Sequence, residues 1–362
     1  MENEIKSLIY TLCEYIFKNF NDSFGSFKAS PSTNPNYIYH WVRDSCLIVD
    51  ILLKFYNKGF IKPSKFITFL ESFISFEEKT VLKADNYLSN LGEPKYNIDS
   101  TPFNDDWGRP QNDGPALRCL VYLSIIDSFP YYKSRIEKLL CENIKYIKKN
   151  IKELNFDLWE EVYGLHYYTL YLQLIVLLKT NQIFYNYEQI EYIKQKLNCF
   201  IKNDIIVSSI ETKDKKTNKN DCYNRIFLDT SLIMSFLHSN TDPGHWLPYC
   251  EKVLNILEIK FNKIYKINSE TNIDWYGRYI EDTYYGGNPW IICTLAKLSF
   301  QYKYNLKNKI YIHEQFNKII NHIKLLKDDP EQIDRNDGSS LSARFLTWNY
   351  VETLRLIDLL FL

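Results

Sequence analysis

The chain has 362 residues, a hydrophobic content of 45% and a formal net charge of zero. This composition can build a large core, and a neutral balance argues against a nucleic-acid-binding or membrane-surface protein. No apolar run is long enough to span a bilayer, and the first residues lack the basic segment and cleavage site of a secretory signal. The eight cysteines are scattered without a CxxC pair, which is more typical of buried thiols than of disulfides or a zinc site. We therefore expect one domain over residues 1–362, in a protein that uses no metal or cofactor and has no nucleic-acid or membrane partner. We expect an intracellular location, cytoplasmic or vacuolar, and secretion stays the alternative if a leader has been lost.

Helical periodicity dominates the chain, and the alternation typical of strands is almost absent. The pattern predicts twelve helices, at residues 3–19, 44–57, 64–77, 113–128, 132–149, 160–179, 187–202, 228–238, 243–263, 288–302, 312–326 and 341–360. These helices form six consecutive hairpins, whose long connections are 24–43, 91–112, 150–159, 205–227, 264–287 and 327–340. Hairpins arranged in a ring would place all these loops on one face. A loop face on a rigid scaffold is a common location for a site.

The first two long loops carry side chains suited to binding a sugar. The first ends in Tyr37, Trp41, Arg43 and Asp44. An arginine beside an aspartate offers a donor fork and an acceptor pair, which can bind adjacent hydroxyl groups; a salt bridge with Asp44 as a helix N-cap would explain the same pair. In the second loop, Trp107 stands in a polar stretch, which is typical of a binding surface. Arg109 either contributes to that surface or belongs to an ion network of the loop.

The third loop brings three acids and a tryptophan to the predicted start of helix 160–179. Asp157, Trp159, Glu160 and Glu161 follow one another closely, and glycosidases need carboxyl groups to move protons and a flat apolar face beneath a sugar ring. The alternative is structural, because Asp157 followed by Glu160 also resembles a capping box. The fourth loop contains a lysine-rich stretch at 211–220, which we interpret as solvated because no aromatic residues interleave the lysines.

The last two loops repeat the combination of acids, arginine and aromatic residues. The fifth connection and the helix after it contain Arg278, Asp282, Tyr284 and Trp290, and the sixth contains Glu331 and Gln332. Five such loops on one predicted face are hard to explain as helix caps alone. The sequence has no HExxH, Walker, GxGxxG or GxSxG motif to support a metal, nucleotide or serine-nucleophile interpretation.

These residues lie in five blocks that run in order from about residue 29 to residue 350: ASPSTNPNY…WVRDS, EPKYNID…WGRPQNDGPALR, FDLWEEVYG, GRYIEDTYYGGNPW and EQIDRNDGSSLSAR…LTW. In them the chain resembles the glucoamylases of glycoside hydrolase family 15. The resemblance implies an all-α fold, an (α/α)6 barrel or six-hairpin toroid with the active site in the loops of one face. It implies an exo-acting enzyme that inverts the anomeric centre. Such an enzyme releases β-D-glucose from the non-reducing ends of α-1,4-glucans such as starch, glycogen and maltooligosaccharides.

The resemblance also assigns roles to residues. Glu160 would be the general acid and Glu331 the general base that activates water. An inverting enzyme needs these carboxyl groups about 6.5–9.5 Å apart, which their positions on different loops permit. Arg43, Asp44 and Arg278 would bind the terminal glucose and Glu161 the next sugar. The remaining expected substrate-binding residues are Tyr37, Trp41, Trp107, Arg109, Asp157, Trp159, Asp282, Tyr284, Trp290 and Gln332.

The chain departs from the family pattern beside the pocket, at Asn112, Tyr163 and Phe345, and at Leu165 with His166. These differences bear on preference beyond the first sugar more than on the reaction. We expect a monomer, with no starch-binding module after Leu362. Two alternatives stay open: a non-catalytic glucan-binding or glucan-sensing barrel of the same fold, and a related enzyme that acts on another sugar such as trehalose.

Overall fold

The computed structural model describes residues 2–82, 91–217, 223 and 225–362. Helices dominate these residues, and each of the twelve predicted helices has a counterpart; one short additional helix, α10, follows α9. The α-helices are α1 (Glu2–Lys18), α2 (Val42–Asn57), α3 (Pro63–Glu77), α4 (Asp113–Ser128), α5 (Lys133–Asn150), α6 (Tyr167–Phe184), α7 (Tyr187–Asn198), α8 (Ser231–His238), α9 (Leu247–Ile264), α10 (Lys266–Thr271), α11 (Ile291–Lys303), α12 (Lys309–Leu326) and α13 (Thr347–Phe361).

Six of these helices form a closed inner ring. Helix α2 contacts α4, and the contacts continue through α6, α8, α11 and α13 back to α2. Outside the ring, α1, α5, α7 and α12 pack against α13, α4, α6 and α11. Inner and outer helices therefore alternate along the chain, which confirms the predicted (α/α)6 barrel.

Burial follows from this arrangement. The inner helix α6 buries every residue from Tyr167 to Leu177, since it is covered by neighbours on all sides. The outer helix α5 buries only one stripe, which includes Ile136, Leu140 and Ile147, and exposes most of its lysines. This amphipathic spacing is the reason why the periodicity of the sequence predicts the helices well. Within the described ranges, none of the helices combines the length and the apolar character needed to cross a bilayer.

Short strands, which the sequence analysis missed, order the loops. They are β1 (Phe20–Asn21), β2 (Ser26–Phe27), β3 (His40–Trp41), β4 (Lys95–Tyr96), β5 (Asn155–Phe156), β6 (Tyr163–His166), β7 (Ile201–Lys202), β8 (Ile205–Ile206), β9 (Ser209–Ile210), β10 (Gln332–Ile333) and β11 (Ser340–Leu341). Strand β3 pairs with β4 and joins the first loop to the second. Strand β6 pairs with both β5 and β9 and joins the third loop to the fourth.

The predicted helix at 160–179 is wrong at its start. The helix begins at Tyr167, and the preceding residues form the hairpin β5–β6. Glu160 lies in the turn of this hairpin, with a positive φ of 68°. The Asp157 carboxylate accepts the backbone N–H groups of Glu161 and Val162, at 2.8 and 2.9 Å. The acid therefore stabilises a hairpin turn, and the capping-box interpretation is also wrong.

Several other helix starts differ from the prediction by a few residues, and two of them concern residues near the site. Helix α2 begins at Val42, before Asp44, and no side chain caps it; the N-cap role considered for Asp44 is wrong. Helix α13 begins at Thr347 instead of residue 341, because Ser340 and Leu341 form β11, which pairs with β10. The seven cysteines in the described part of the chain are unpaired, and Cys222 lies outside it.

Candidate active site

The loops that precede the inner helices enclose a cavity of about 540 Å³, which we call the central pocket. Five of the six long loops contribute to it. Twelve of the sixteen predicted site residues line it: Tyr37, Trp41, Arg43, Asp44, Trp107, Trp159, Glu160, Glu161, Arg278, Tyr284, Trp290 and Glu331. Residues separated by up to 294 positions in sequence thus meet in one cavity because the barrel brings the ends of its inner helices together.

Glu160 is fixed on the wall of the central pocket by three N–H donors. Its Oε1 accepts Trp41 Nε1 at 2.8 Å and Gln111 Nε2 at 3.0 Å, and its Oε2 accepts Trp107 Nε1 at 2.7 Å. The backbone carbonyl of Glu160 lies against Gly108, where a Cβ would be only 2.9 Å from that oxygen. Gly108 therefore lets the second loop approach the hairpin closely. Loops one, two and three together set the position of this carboxyl group.

Glu331 is the second carboxyl group of the pocket and lies on the sixth loop. It is 3% exposed, and its backbone N–H donates to the carbonyl of Ala343 at 2.8 Å. The Ser342 hydroxyl donates to its Oε2. Burial raises the pKa of Glu331 to about 7, although the hydrogen bond from Ser342 and the charge of Arg278 oppose the shift. A carboxyl group with this proton affinity is suited to accept a proton near neutral pH.

Arg278 connects two further acids. Its Nε and Nη2 donate to the two oxygens of Asp282 at 2.8 and 2.7 Å, the bidentate geometry in which arginine binds carboxylates most strongly. Nη2 also lies 2.8 Å from Glu161 Oε1, and the Tyr279 hydroxyl donates to the other oxygen of Glu161. Asp282 does not line the pocket; it fixes the guanidinium that does.

Arg43 and Asp44 form a looser pair than a local salt bridge would. Arg43 Nη1 donates to Asp113 at 3.0 Å and to Gln111 at 3.1 Å, whereas its Nε is 3.8 Å from Asp44. Burial raises the pKa of Asp44 to about 6 against the charge of Arg43. The oxygens of Asp44 are therefore available to hydroxyl groups that enter the pocket.

Arg109, Asp157 and Gln332 lie behind the pocket lining instead of on it. Arg109 donates to Glu93 at 3.0 Å and to the carbonyls of Asp105 and Phe103 at 2.8 and 3.0 Å. This is the loop network that the sequence analysis left open as its alternative role. Gln332 forms a backbone bridge with Trp290. These three residues order the loops and are not part of the pocket lining, and their role in substrate binding stays a prediction.

Lys95 and Trp348 are two of the lining residues that the sequence analysis did not select. The Lys95 ammonium lies 3.2 Å from the ring centroid of Trp107 and 4.3 Å from that of Trp41, and burial lowers its pKa to about 8. Trp348 stacks on Trp159, with centroids 6.3 Å apart and 26° between the planes. The signal for both was available, because Lys95 and Trp348 stand inside the sequence blocks that carry the family resemblance.

The fourth loop supports the central pocket without lining it. Asp229 accepts Trp159 Nε1 with both oxygens, at 3.0 and 3.1 Å, and Arg225 Nη2 donates to Asp229 at 3.1 Å. Lys215 donates to the Arg109 carbonyl and packs near Phe156, so this part of the lysine-rich stretch is not simply solvated. Residues 218–220 of that stretch lie outside the described residues.

Comparison with known proteins agrees with this fold and cavity. The model of the family described as glycosyl hydrolases family 15 matches residues 16–322. The chain is 29% identical to a "Probable glucoamylase" of Schizosaccharomyces pombe, over 92% of this chain and 84% of that protein. It is 31% identical to "Glucoamylase, intracellular sporulation-specific" of Saccharomyces cerevisiae, over 85% of this chain and 64% of that protein. Its fold matches the structure of Hormoconis resinae glucoamylase with a TM-score of 0.83 at 24% identity, covering 99% of this chain and 73% of that one. The chain belongs to glycosyl hydrolase family 15.

Proposed function

We propose that the chain is an exo-acting, inverting glucan hydrolase, a glucan 1,4-alpha-glucosidase that releases β-D-glucose from the non-reducing ends of α-1,4-linked glucans. The observation that carries this proposal is the central pocket itself. Two carboxyl groups from different loops, Glu160 and Glu331, line a cavity whose inner wall is built from buried Trp159, Trp290 and Trp348. A pocket of this kind accepts the end of a chain more readily than its middle.

In this proposal Glu160 gives its proton to the glycosidic oxygen as the bond to the leaving chain breaks. Glu331 takes a proton from a water molecule, and the water oxygen bonds to C1 on the opposite face of the sugar. Water therefore supplies the new hydroxyl group, and the anomeric configuration inverts. No cofactor or metal ion is required for these steps.

The neighbouring residues bind and orient the terminal glucose. Asp44 accepts from its hydroxyl groups, while Arg43 and Arg278 donate to them. Trp41 and Trp107 pack against the sugar and orient Glu160. Glu161, fixed by Arg278, faces the next sugar of the chain. Tyr37 and Tyr284, whose hydroxyls are 3.3 Å apart, close the side of the pocket nearest Glu331.

The test is turnover by Glu160→Gln and Glu331→Gln, with Glu314→Gln on the exposed surface of α12 as the matched control. We expect each pocket variant to lose at least about 100-fold in kcat for maltotriose, because a positioned acid or base contributes about 10²–10⁴-fold. Both variants should still bind the sugar. Glucose release by Glu331→Gln at the wild-type rate would refute the assigned mechanism.

The same experiment addresses the non-catalytic glucan-sensing alternative. A sensing barrel would bind maltotriose but release no glucose in the wild-type form. The trehalose alternative predicts glucose from trehalose and none from maltotriose. The presence of both carboxyl groups in one pocket, together with relatives named as glucoamylases, favours the hydrolase.

We propose further that the protein is a monomer located inside the cell. The location is suggested by the similarity to a yeast relative whose name describes it as intracellular and by the unpaired cysteines, most of which are buried. Light scattering should give the mass of a single chain, 43.3 kDa. Fractionation of the source cells should recover the activity in the intracellular fraction. The cysteine thiols of the recovered protein should still react with a thiol reagent after denaturation. An extracellular, disulfide-bonded form would contradict the proposal.

A further inference from the structure

A charged side chain lies in the barrel core directly behind the central pocket. Glu352 is 0% exposed and follows Trp348 by one helical turn of α13. Its Oε1 accepts Trp348 Nε1 at 3.1 Å, and its Oε2 accepts Arg355 Nε at 3.2 Å. Trp348 lines the pocket, whereas Glu352 does not. The carboxylate therefore contacts the pocket only through the edge of an indole ring.

Each hydrogen-bond partner of this carboxylate can act as a donor. His238 Nε2 lies 3.1 Å from Glu352 Oε1, and His238 Nδ1 lies 2.7 Å from the Tyr168 hydroxyl. A neutral His238 that accepts from Tyr168 and donates to Glu352 satisfies both contacts. Burial lowers the pKa of His238. Burial also opposes ionisation of Glu352, but Arg355 and the His238 hydrogen bond outweigh it and hold the pKa of Glu352 at about 2.

This charged network is an energetically unfavourable way to fill a protein core. Desolvation of a buried ion pair often costs more than its attraction returns, and apolar residues of similar size are commonly as stable. Apolar side chains fill other core positions of α13, such as Val351 and Leu356, which are fully buried. The network fixes the orientation of the Trp348 indole, because a buried indole N–H with one ionised acceptor has one favourable orientation.

That orientation matters for the pocket. Trp348 stacks on Trp159, and the Arg43 guanidinium lies 5.5 Å from the centroid of the Trp348 ring. Rotation of the indole would displace both. We infer that Glu352 is a positioning residue for the hydrolysis reaction, which fixes the plane of Trp348 and, through it, the places of Trp159 and Arg43. This inference rests on the proposed function and names a residue that never touches the sugar.

A double-mutant cycle between Glu352 and Trp348 tests it. Glu352→Gln keeps the size of the side chain but removes the charge, and Glu352→Asp keeps the charge but shortens its reach to the indole. Since a hydrogen bond to a charged group is worth roughly a factor of ten or more, we expect either variant to raise KM for maltotriose about tenfold. In a Trp348→Phe background, which has no indole N–H, neither substitution should raise KM further. Glu258→Gln, a partly buried and paired glutamate of the outer helix α9, is the matched control.

Two readouts separate positioning from a merely structural role. Thermal stability should fall in both backgrounds if Glu352 also stabilises the core, whereas the effect on KM should depend on Trp348. The indole ¹H–¹⁵N signal of Trp348, assigned by its loss in Trp348→Phe, should shift in both Glu352 variants. An unchanged KM with an unchanged indole signal would overturn the inference, as would an equal rise of KM in the Trp348→Phe background.

Failure of this inference and failure of the proposed function give different results. If the wild-type protein binds maltotriose without hydrolysing it, the proposed function fails. The cycle is then measured on the Kd of maltotriose, with the same expected pattern. Retention of wild-type Kd by Glu352→Asp and Glu352→Gln would in that case overturn the positioning role as well.

Discussion

Replacement of Glu331 by glutamine should stabilise the fold at alkaline pH. The side chain is buried, and its pKa is raised from 4.5 to about 7. The folded state therefore binds the proton more tightly than the unfolded state between these values, and the free energy of unfolding falls as the pH rises through this window. The difference of about 2.5 in pKa corresponds to about 3 kcal/mol at 1.36 kcal/mol per pKa unit. Glutamine cannot ionise and escapes this loss.

The assay is thermal unfolding of the wild type and Glu331→Gln at pH 4 and pH 8, at one scan rate. For a chain of 362 residues, about 3 kcal/mol corresponds to about 4 °C in Tm. The variant should match the wild type at pH 4 and exceed it by about this amount at pH 8. Glu314→Gln, on the exposed surface of α12, should follow the wild type at both values. An equal Tm difference between variant and wild type at both pH values would refute the reasoning.

Three further predictions concern neighbouring contacts. Trp41→Phe removes an N–H donor to Glu160 Oε1 and should lower kcat/KM for maltotriose about tenfold. Steady-state kinetics would measure this loss, and an unchanged kcat/KM would contradict the role of the Trp41 indole in orienting Glu160. Asp282→Asn breaks the bidentate pair with Arg278, so it should raise KM for maltotriose more than it lowers kcat. A change in kcat alone would mean that Arg278 does not contribute to binding of the substrate before the reaction. Because the pKa of Glu352 is held at about 2, the wild type should lose roughly 3 kcal/mol more stability than Glu352→Gln as the pH falls from about 4.5 to 2. Urea unfolding of both proteins would measure this difference, and an equal loss in both would contradict the prediction.

The sequence predicts the barrel well because its helices bury their apolar faces with a regular period. The outer helix α5, for example, places Ile136, Leu140 and Ile147 on one stripe, which is legible in the sequence alone. Twelve of the side chains that line the central pocket were also identified, since they cluster in long loops with unusual combinations of acids, arginine and tryptophan. Both results depend on local pattern.

The features that were missed depend on pairing between distant segments. The strands of hairpin β5–β6 are short, and β6 also pairs with β9 from another loop, where Leu165 lies opposite Ile210. Such short strands leave no periodic signal, so Glu160 was assigned to a helix start instead of a turn. Asp229 and Arg225 were missed because their role depends on Trp159 in another loop.

The role of Glu352 has a signal that is visible only in retrospect. Glu352 and Arg355 interrupt a helix that is otherwise largely apolar, and Glu352 stands four residues after Trp348. That spacing places the carboxylate beside the indole on one face of a helix. Sequence alone could not show that this face points into the core, because charged residues usually mark the solvent side of a helix.

The most direct test of the assigned reaction is the configuration of the first glucose released. Proton NMR of the purified protein with maltotriose, followed through the anomeric region in the first minutes, distinguishes β-glucose from α-glucose before they equilibrate. Our account predicts that β-glucose appears first, because Glu331 directs water to the face of the sugar opposite the leaving chain. Early α-glucose would contradict the assignment of Glu160 and Glu331 as the acid and base of an inverting hydrolase.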